Sequence, residues 1–184
     1  TYCSRLIIRP DSTNILFAAM GTSGLYKSTN AGVNWVSILS GRCDDVVQSP
    51  TGDTIYAVGS GVGNKMSTDG GLNFTAVAGI VMGTRNHIAV CRNFPNILYI
   101  STYTGSTIRV FKSTNSGSSY TEVAIGTNFS GSQAWYDFYM HVNPFDPNYA
   151  YVGSIDIWRT IDGGTSFQNI TNGYAGGPVH VDQH

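Results

Sequence analysis

Short runs of alternating apolar and polar residues recur along the chain, each closed by a turn signal. Four stretches show it: "LIIRPDSTNILFAAMGTSGLYK", "VVQSPTGDTIYAVGSGVGNKM", "HIAVCRNFPNILYISTYTGSTIRVFK" and "FYMHVNPFDPNYAYVGSIDIWR". Each reads as strand, Pro/Asn/Asp turn, strand, Gly turn, strand. The residues that follow each stretch supply a fourth strand, so the pattern predicts four antiparallel four-stranded sheets. The first strand of each sheet is expected near 5–9, 44–49, 86–91 and 136–142.

Between the third and fourth strands the chain writes one octet four times. "STNAGVNW" starts at Ser28, "STDGGLNF" at Ser67, "STNSGSSY" at Ser113 and "TIDGGTSF" at Thr160, at steps of 39, 46 and 47 residues. The shared pattern is Ser/Thr, any, Asp/Asn, any, Gly, any two, then an aromatic. An Asp or Asn here can accept amide hydrogen bonds inside a turn, and the glycine supplies a positive φ. The closing ring, Trp35, Phe74, Tyr120 or Phe167, is expected to pack between sheets. Asn30 and Asn115 stand where the other octets have Asp69 and Asp162. Asn keeps the turn but cannot do acid–base work, so the octet acids read as scaffold. The structural set is Ser28, Asn30, Gly32, Trp35, Ser67, Asp69, Gly71, Phe74, Ser113, Asn115, Gly117, Tyr120, Thr160, Asp162, Gly164 and Phe167. A repeat of about 40–47 residues carrying four short strands is the signature of a propeller blade.

Composition agrees with an all-β class. Gly accounts for 22 of 184 residues, and Glu122 is the only glutamate, which is poor helix material. Charged residues make up 11% and the net charge is -1. With no basic run, nucleic acid is not an expected partner. No apolar run has a membrane helix's length, so no insertion is expected. The chain starts at Thr1, which reads as a processed chain or a fragment.

The octet resembles the Asp-box, or BNR repeat, S-x-D-x-G-x-x-W, and the resemblance covers essentially the whole chain. Proteins sharing it include sialidases, sortilin-type receptors, a photosystem assembly factor and family 74 glycoside hydrolases. The segments "QAWYDFYMHVNPFDPNYAYVGSIDIWRTIDGGTSF" and "GPVHVDQH" are most similar to large secreted bacterial repeat proteins. The resemblance implies an all-β β-propeller of four-stranded antiparallel blades, at 1–41, 42–83, 84–131 and 132–178. Residues 179–184 would begin a further blade. Four blades and one strand do not close comfortably, so the remaining blades are expected from the same longer chain or from other chains. A secreted or cell-surface location is implied.

In a propeller, chemistry belongs on the inner strands. Aligning the repeats makes Cys3, Cys43, Arg85 and Asp137 equivalent, with Arg5, Asp45, His87 and Tyr139 two residues later on the same strand face. Binding candidates are Arg85, His87, Trp135, Tyr136, Asp137 and Tyr139. Trp158 and Tyr174 are further aromatics that could stack on sugar rings. Catalytic candidates are Asp45, Asp137 and Asp182, because glycoside hydrolysis needs paired carboxylates. A sialidase-type site would need a Tyr/Glu couple, and Glu122 falls on an outer strand.

Period-2 geometry puts His180, Asp182 and His184 on one face, with His141 and Asp137 on the neighbouring strand, a candidate divalent metal site. No other cofactor is expected. Cys3 and Cys43 occupy equivalent places in adjacent blades, where a disulfide is one alternative and buried thiols the other. Asn73, Asn128 and Asn169 head N-x-S/T sequons. The expected function is a glycan- or protein-binding module, leaning away from catalysis. A family 74-type glycosidase is the alternative, and a structural repeat of a surface adhesin or filament is a third reading.

Overall fold

In the computed structural model, residues 2–126, 129 and 133–177 are described. Sixteen strands among them form four antiparallel sheets of four, each in sequence order. The first sheet holds β1 (Arg5–Ile8), β2 (Leu16–Ala19), β3 (Leu25–Ser28) and β4 (Val36–Leu39). The second holds β5 (Asp45–Gln48), β6 (Ile55–Gly59), β7 (Gly63–Ser67) and β8 (Thr75–Ala76). The third holds β9 (Arg85–Val90), β10 (Leu98–Tyr103), β11 (Ile108–Ser113) and β12 (Thr121–Gly126). The fourth holds β13 (Tyr139–Val142), β14 (Ala150–Gly153), β15 (Ile157–Thr160) and β16 (Gln168–Asn169). A single 3₁₀ turn at Gly173–Ala175 is the one helical element among the described residues.

The chain divides into two compact units, Thr1–Ala78 with the first two sheets and the remainder from Gly79 with the other two. In the first unit, Phe17, Ala19 and Leu25 of one sheet bury against Cys43, Val46, Ile55, Ala57 and Val62 of the next. In the second, Tyr99, Ile108 and Val110 pack with Phe138, Met140, Val142, Ala150 and Val152. Apolar side chains projecting from both faces of the central strands make this sheet-on-sheet stacking the only way to bury them.

The four octets fold identically. Ser28, Ser67, Ser113 and Thr160 are each 1% exposed. Each hydroxyl donates to the Oδ1 two residues on, at 3.0, 2.6, 2.9 and 2.8 Å. Each also accepts the amide of the octet glycine, at 2.9, 2.8, 2.9 and 2.8 Å. The Oδ1 of Asn30, Asp69, Asn115 and Asp162 in turn accepts the amide four residues later. Two successive residues take positive φ, not the glycine alone: Ala31 and Gly32, Gly70 and Gly71, Ser116 and Gly117, Gly163 and Gly164. The amide of the first of each pair donates to a carbonyl in the first turn of its own sheet, Asn14, Asp53, Asn96 or Asn148. Blade corners are therefore laced to themselves.

Packing of the closing ring varies. Phe74 and Phe167 settle against the two cores, whereas Trp35 is 37% exposed and turns its indole N–H to the Gly32 carbonyl. The fourth first-strand also departs from the alternating pattern. It begins at Tyr139, because the amides of Tyr136 and Asp137 donate to the Gln133 carbonyl and hold 133–137 in a turn.

Candidate functional site

Strand pairing places Arg5, Asp45, His87 and Tyr139 at one register. They lie opposite Ala19, Val58, Ser101 and Gly153, the fourth residue of each second strand. Their surroundings differ.

In the first unit, the fully buried Asp45 accepts from Arg5 Nε at 2.9 Å and from the Val46 amide at 2.9 Å. The Asp45 charge raises the guanidinium pKa of Arg5. Asp44 pairs with Arg42 at 2.6 Å. Cys3 and Cys43 are free thiols, and each sulfur lies near a backbone carbonyl: Cys3 at Arg5, Cys43 at Asp45. Burial pushes the Cys43 thiol well above its usual pKa. The buried Asp45 carboxylate is thus neutralised by a guanidinium that reaches it from the surface, and removing Arg5 would strand a buried charge.

The second unit gathers more of the candidates. Asp137 is 0% exposed and accepts from Ser154 Oγ at 3.2 Å. Phe138 sits edge-on to His87, with centroids 5.5 Å apart, and against Tyr103. Arg85 Nη2 donates to the Tyr136 carbonyl at 3.4 Å. Arg85 Nε and Ser101 Oγ are buried without hydrogen-bond partners among the described residues. Buried polar atoms of this kind ordinarily find water or a ligand. The Tyr139 ring lies flat over Gly153, where an added Cβ would fall 1.8 Å from Cε1, and burial raises its phenol pKa. Beside this set, Trp135 is 63% exposed and packs edge-on to Tyr136 at 4.7 Å.

Arg85, Trp135, Tyr136 and Asp137 come together with His87 and Tyr139, the turn at 133–137 being what folds Trp135 over Tyr136. Trp158 is no free platform, since it packs against Phe129 at 5.2 Å, and Phe129 in turn against Phe167. His180, Asp182, His184, Asn128 and the Tyr174 side chain lie outside the described residues. Among the described residues no group of three His, Cys, Asp or Glu could hold a metal ion, and His141 is exposed on β13. Ser154 and Phe138 escaped the sequence reading. Ser154's only signal is its place directly after the second strand.

No family model and no curated protein matches this chain. Solved structures do. A family 74 xyloglucanase from Xanthomonas campestris matches 92% of the chain at 19% identity with a TM-score of 0.68. An auxiliary nutrient binding protein from Bacteroides thetaiotaomicron matches 92% at 15% identity and 0.64. A nidogen/laminin complex matches 93% at 10% identity and 0.65. The fold is a β-propeller. This chain spans 30%, 42% and 62% of those three matched chains.

β1, β5, β9 and β13 are each an edge strand of their sheet, and Arg85 and His87 lie on β9 while Tyr139 opens β13. Glu122 stands on outer strand β12, engaged by Arg109 Nε at 2.6 Å.

Proposed function

We propose that this chain is part of a secreted or cell-surface Asp-box propeller that binds glycan at the Trp135–Tyr136 turn. The carrying observation is the exposed Trp135 ring, braced on Tyr136, whose carbonyl accepts from Arg85, a residue with its Nε buried and unpartnered among the described residues. A pyranose has an apolar face and a rim of hydroxyls, and an indole beside unengaged donors complements both. The Asp-box reading is supported by four superposable Ser/Thr–Asx–Gly corners. Likeness in fold to a xyloglucanase and a nutrient binding protein makes plant-type β-glucans the first ligands to try. The remaining blades are taken to come from the same longer chain or from other chains.

Binding is preferred over hydrolysis because a glycosidase needs two unengaged carboxylates, and Asp45 is tied to Arg5. Calorimetric titration with xyloglucan and other β-glucan oligosaccharides tests the proposal, with reducing-end release followed in parallel. Binding weakened roughly tenfold or more in Trp135→Ala, with no reducing ends released, is expected. Unchanged binding in Trp135→Ala would move the site elsewhere. Reducing-end release abolished by Asp137→Asn would favour the hydrolase.

A further inference from the structure

Four arginines pair with a carboxylate: Arg5 with Asp45, Arg9 with Asp11, Arg42 with Asp44 and Arg109 with Glu122. Two partly buried arginines, Arg85 and Arg159, have no such partner among the described residues. Arg159 lies on the face of the fourth sheet that turns away from the third. Arg85 is placed differently. Strand register puts it beside Tyr103 and Ile108, on the face that packs against Phe138 and Met140 of the fourth sheet. The sheets on both sides of it are therefore described.

The first unit shows what such an arginine usually finds. Arg5, on β1, reaches forward to Asp45 at the head of β5 and bonds it at 2.9 Å. Arg85, on β9, makes the same forward reach and arrives at a backbone carbonyl, that of Tyr136, at 3.4 Å. The carboxylate one residue on, Asp137, is turned to Ser154 Oγ instead. The Nη2 bond to Tyr136 is the one hydrogen bond of this guanidinium among the described residues, and its Nε is buried and unmet. Ser101 shares the sheet face with Arg85, and its fully buried Oγ is unmet as well. A carbonyl dipole does not neutralise a cation. A guanidinium partly withdrawn from water is costly until an anion joins it.

We propose that Arg85 binds the carboxylate of an acidic sugar, so that the glycan taken at the Trp135–Tyr136 turn is a uronic acid polymer. This rests on the glycan reading of that turn and names its ligand class. A hexopyranuronate carries a carboxylate on C5, where a neutral hexose has a hydroxymethyl group. A ring stacked on the Trp135 indole presents that acid sideways, at the ring's rim. The indole packs on Tyr136 at 4.7 Å, and Tyr136 is the residue whose carbonyl holds Arg85. A 3.4 Å bond is long. Exchanging it for a charge-assisted, two-pronged pair with a carboxylate is favourable. A neutral β-glucan would use the indole alone.

Calorimetric titration with galacturonate and glucuronate oligosaccharides tests this, each against the same chain with its carboxylates reduced to hydroxymethyl groups. The acid form is expected to bind roughly tenfold or more tighter than the reduced form, by a margin that narrows as salt rises. Arg85→Gln removes the difference between the two forms. Arg85→Lys, which keeps the charge and loses the planar fork, retains only part of it. Trp135→Ala weakens both forms together. Equal affinity for the two forms in the wild type overturns the acidic ligand and leaves glycan binding standing. No binding of either form overturns both. An acid preference that survives Arg85→Gln overturns the role of Arg85. If that variant fails to fold by circular dichroism, an undiminished preference in Arg85→Lys overturns it equally.

Discussion

Thr160 Oγ1 donates to Asp162 Oδ1 at 2.8 Å, the same contact that Ser28 makes with Asn30 and Ser113 with Asn115. A carboxylate and an amide oxygen do one job here, which is to gather amides. Asp162 additionally accepts the Ser166 hydroxyl on Oδ2 at 2.6 Å. That bond, followed by the Ser166 amide and the Thr160 hydroxyl, lowers the Asp162 pKa to about 2 from an ordinary 3.8.

A depressed carboxylate stabilises the fold above its unfolded pKa, and the contribution is lost as pH falls through the folded value. Urea unfolding between neutral pH and pH about 2 is expected to show the wild type losing stability relative to Asp162→Asn across that acid window. Equal slopes for the two proteins would mean that the Ser166 and Thr160 bonds do not favour the charged form.

Ala31 and Ser116 occupy the left-handed region that Gly70 and Gly163 occupy in the other octets, with φ of 56° and 57°. A side chain there costs roughly 1–2 kcal/mol, partly offset by the greater unfolded-state freedom of glycine. Ala31→Gly and Ser116→Gly should each stabilise by about 0.5–1 kcal/mol, read as a higher urea midpoint at unchanged slope.

Lys27 and Lys112 bridge neighbouring sheets, whereas the second sheet carries Met66 at the same position. Lys112→Met keeps the stem and removes the charged hydrogen bond and the cation over Tyr99. A loss of about 1 kcal/mol is expected for this partly exposed side chain. The double substitution with Tyr99→Leu should cost less than the sum of the singles, since both report one contact.

Gly153→Ala forces the Tyr139 ring off its seat, and overpacking of this kind costs roughly 1–3 kcal/mol. Adding Tyr139→Ala to Gly153→Ala should recover part of that loss. If the glycan site includes the Tyr139 ring, Gly153→Ala also weakens binding in titrations where Trp135 is intact.

Strands, turns and repeat length were legible because period-2 alternation and the octet are local signals. The paired positive φ values were not, since Ala31 and Ser116 carry no glycine to announce them. Among candidate residues, Asp45 and Arg5 were found by register, but their pairing depends on a contact 40 residues apart. The fourth first-strand was expected from residue 136 but begins at Tyr139, because the apolar pattern of "AWYDFYM" suits strand or turn. Hydrogen bonds of the turn to Gln133 decide the outcome, and with it the orientation of Trp135. Trp158 looked available from sequence because nothing local reveals that Phe129 reaches it.

Each octet corner closes on carbonyls of its own sheet, through the bonds from Ala31 to Asn14, Gly70 to Asp53, Ser116 to Asn96 and Gly163 to Asn148. A stretch of gene encoding one sheet therefore carries its whole corner with it. Tandem duplication adds a repeat without redesigning the fold of that corner, and later drift in length, as between the steps of 39 and 47 residues, can accumulate in the connections outside it.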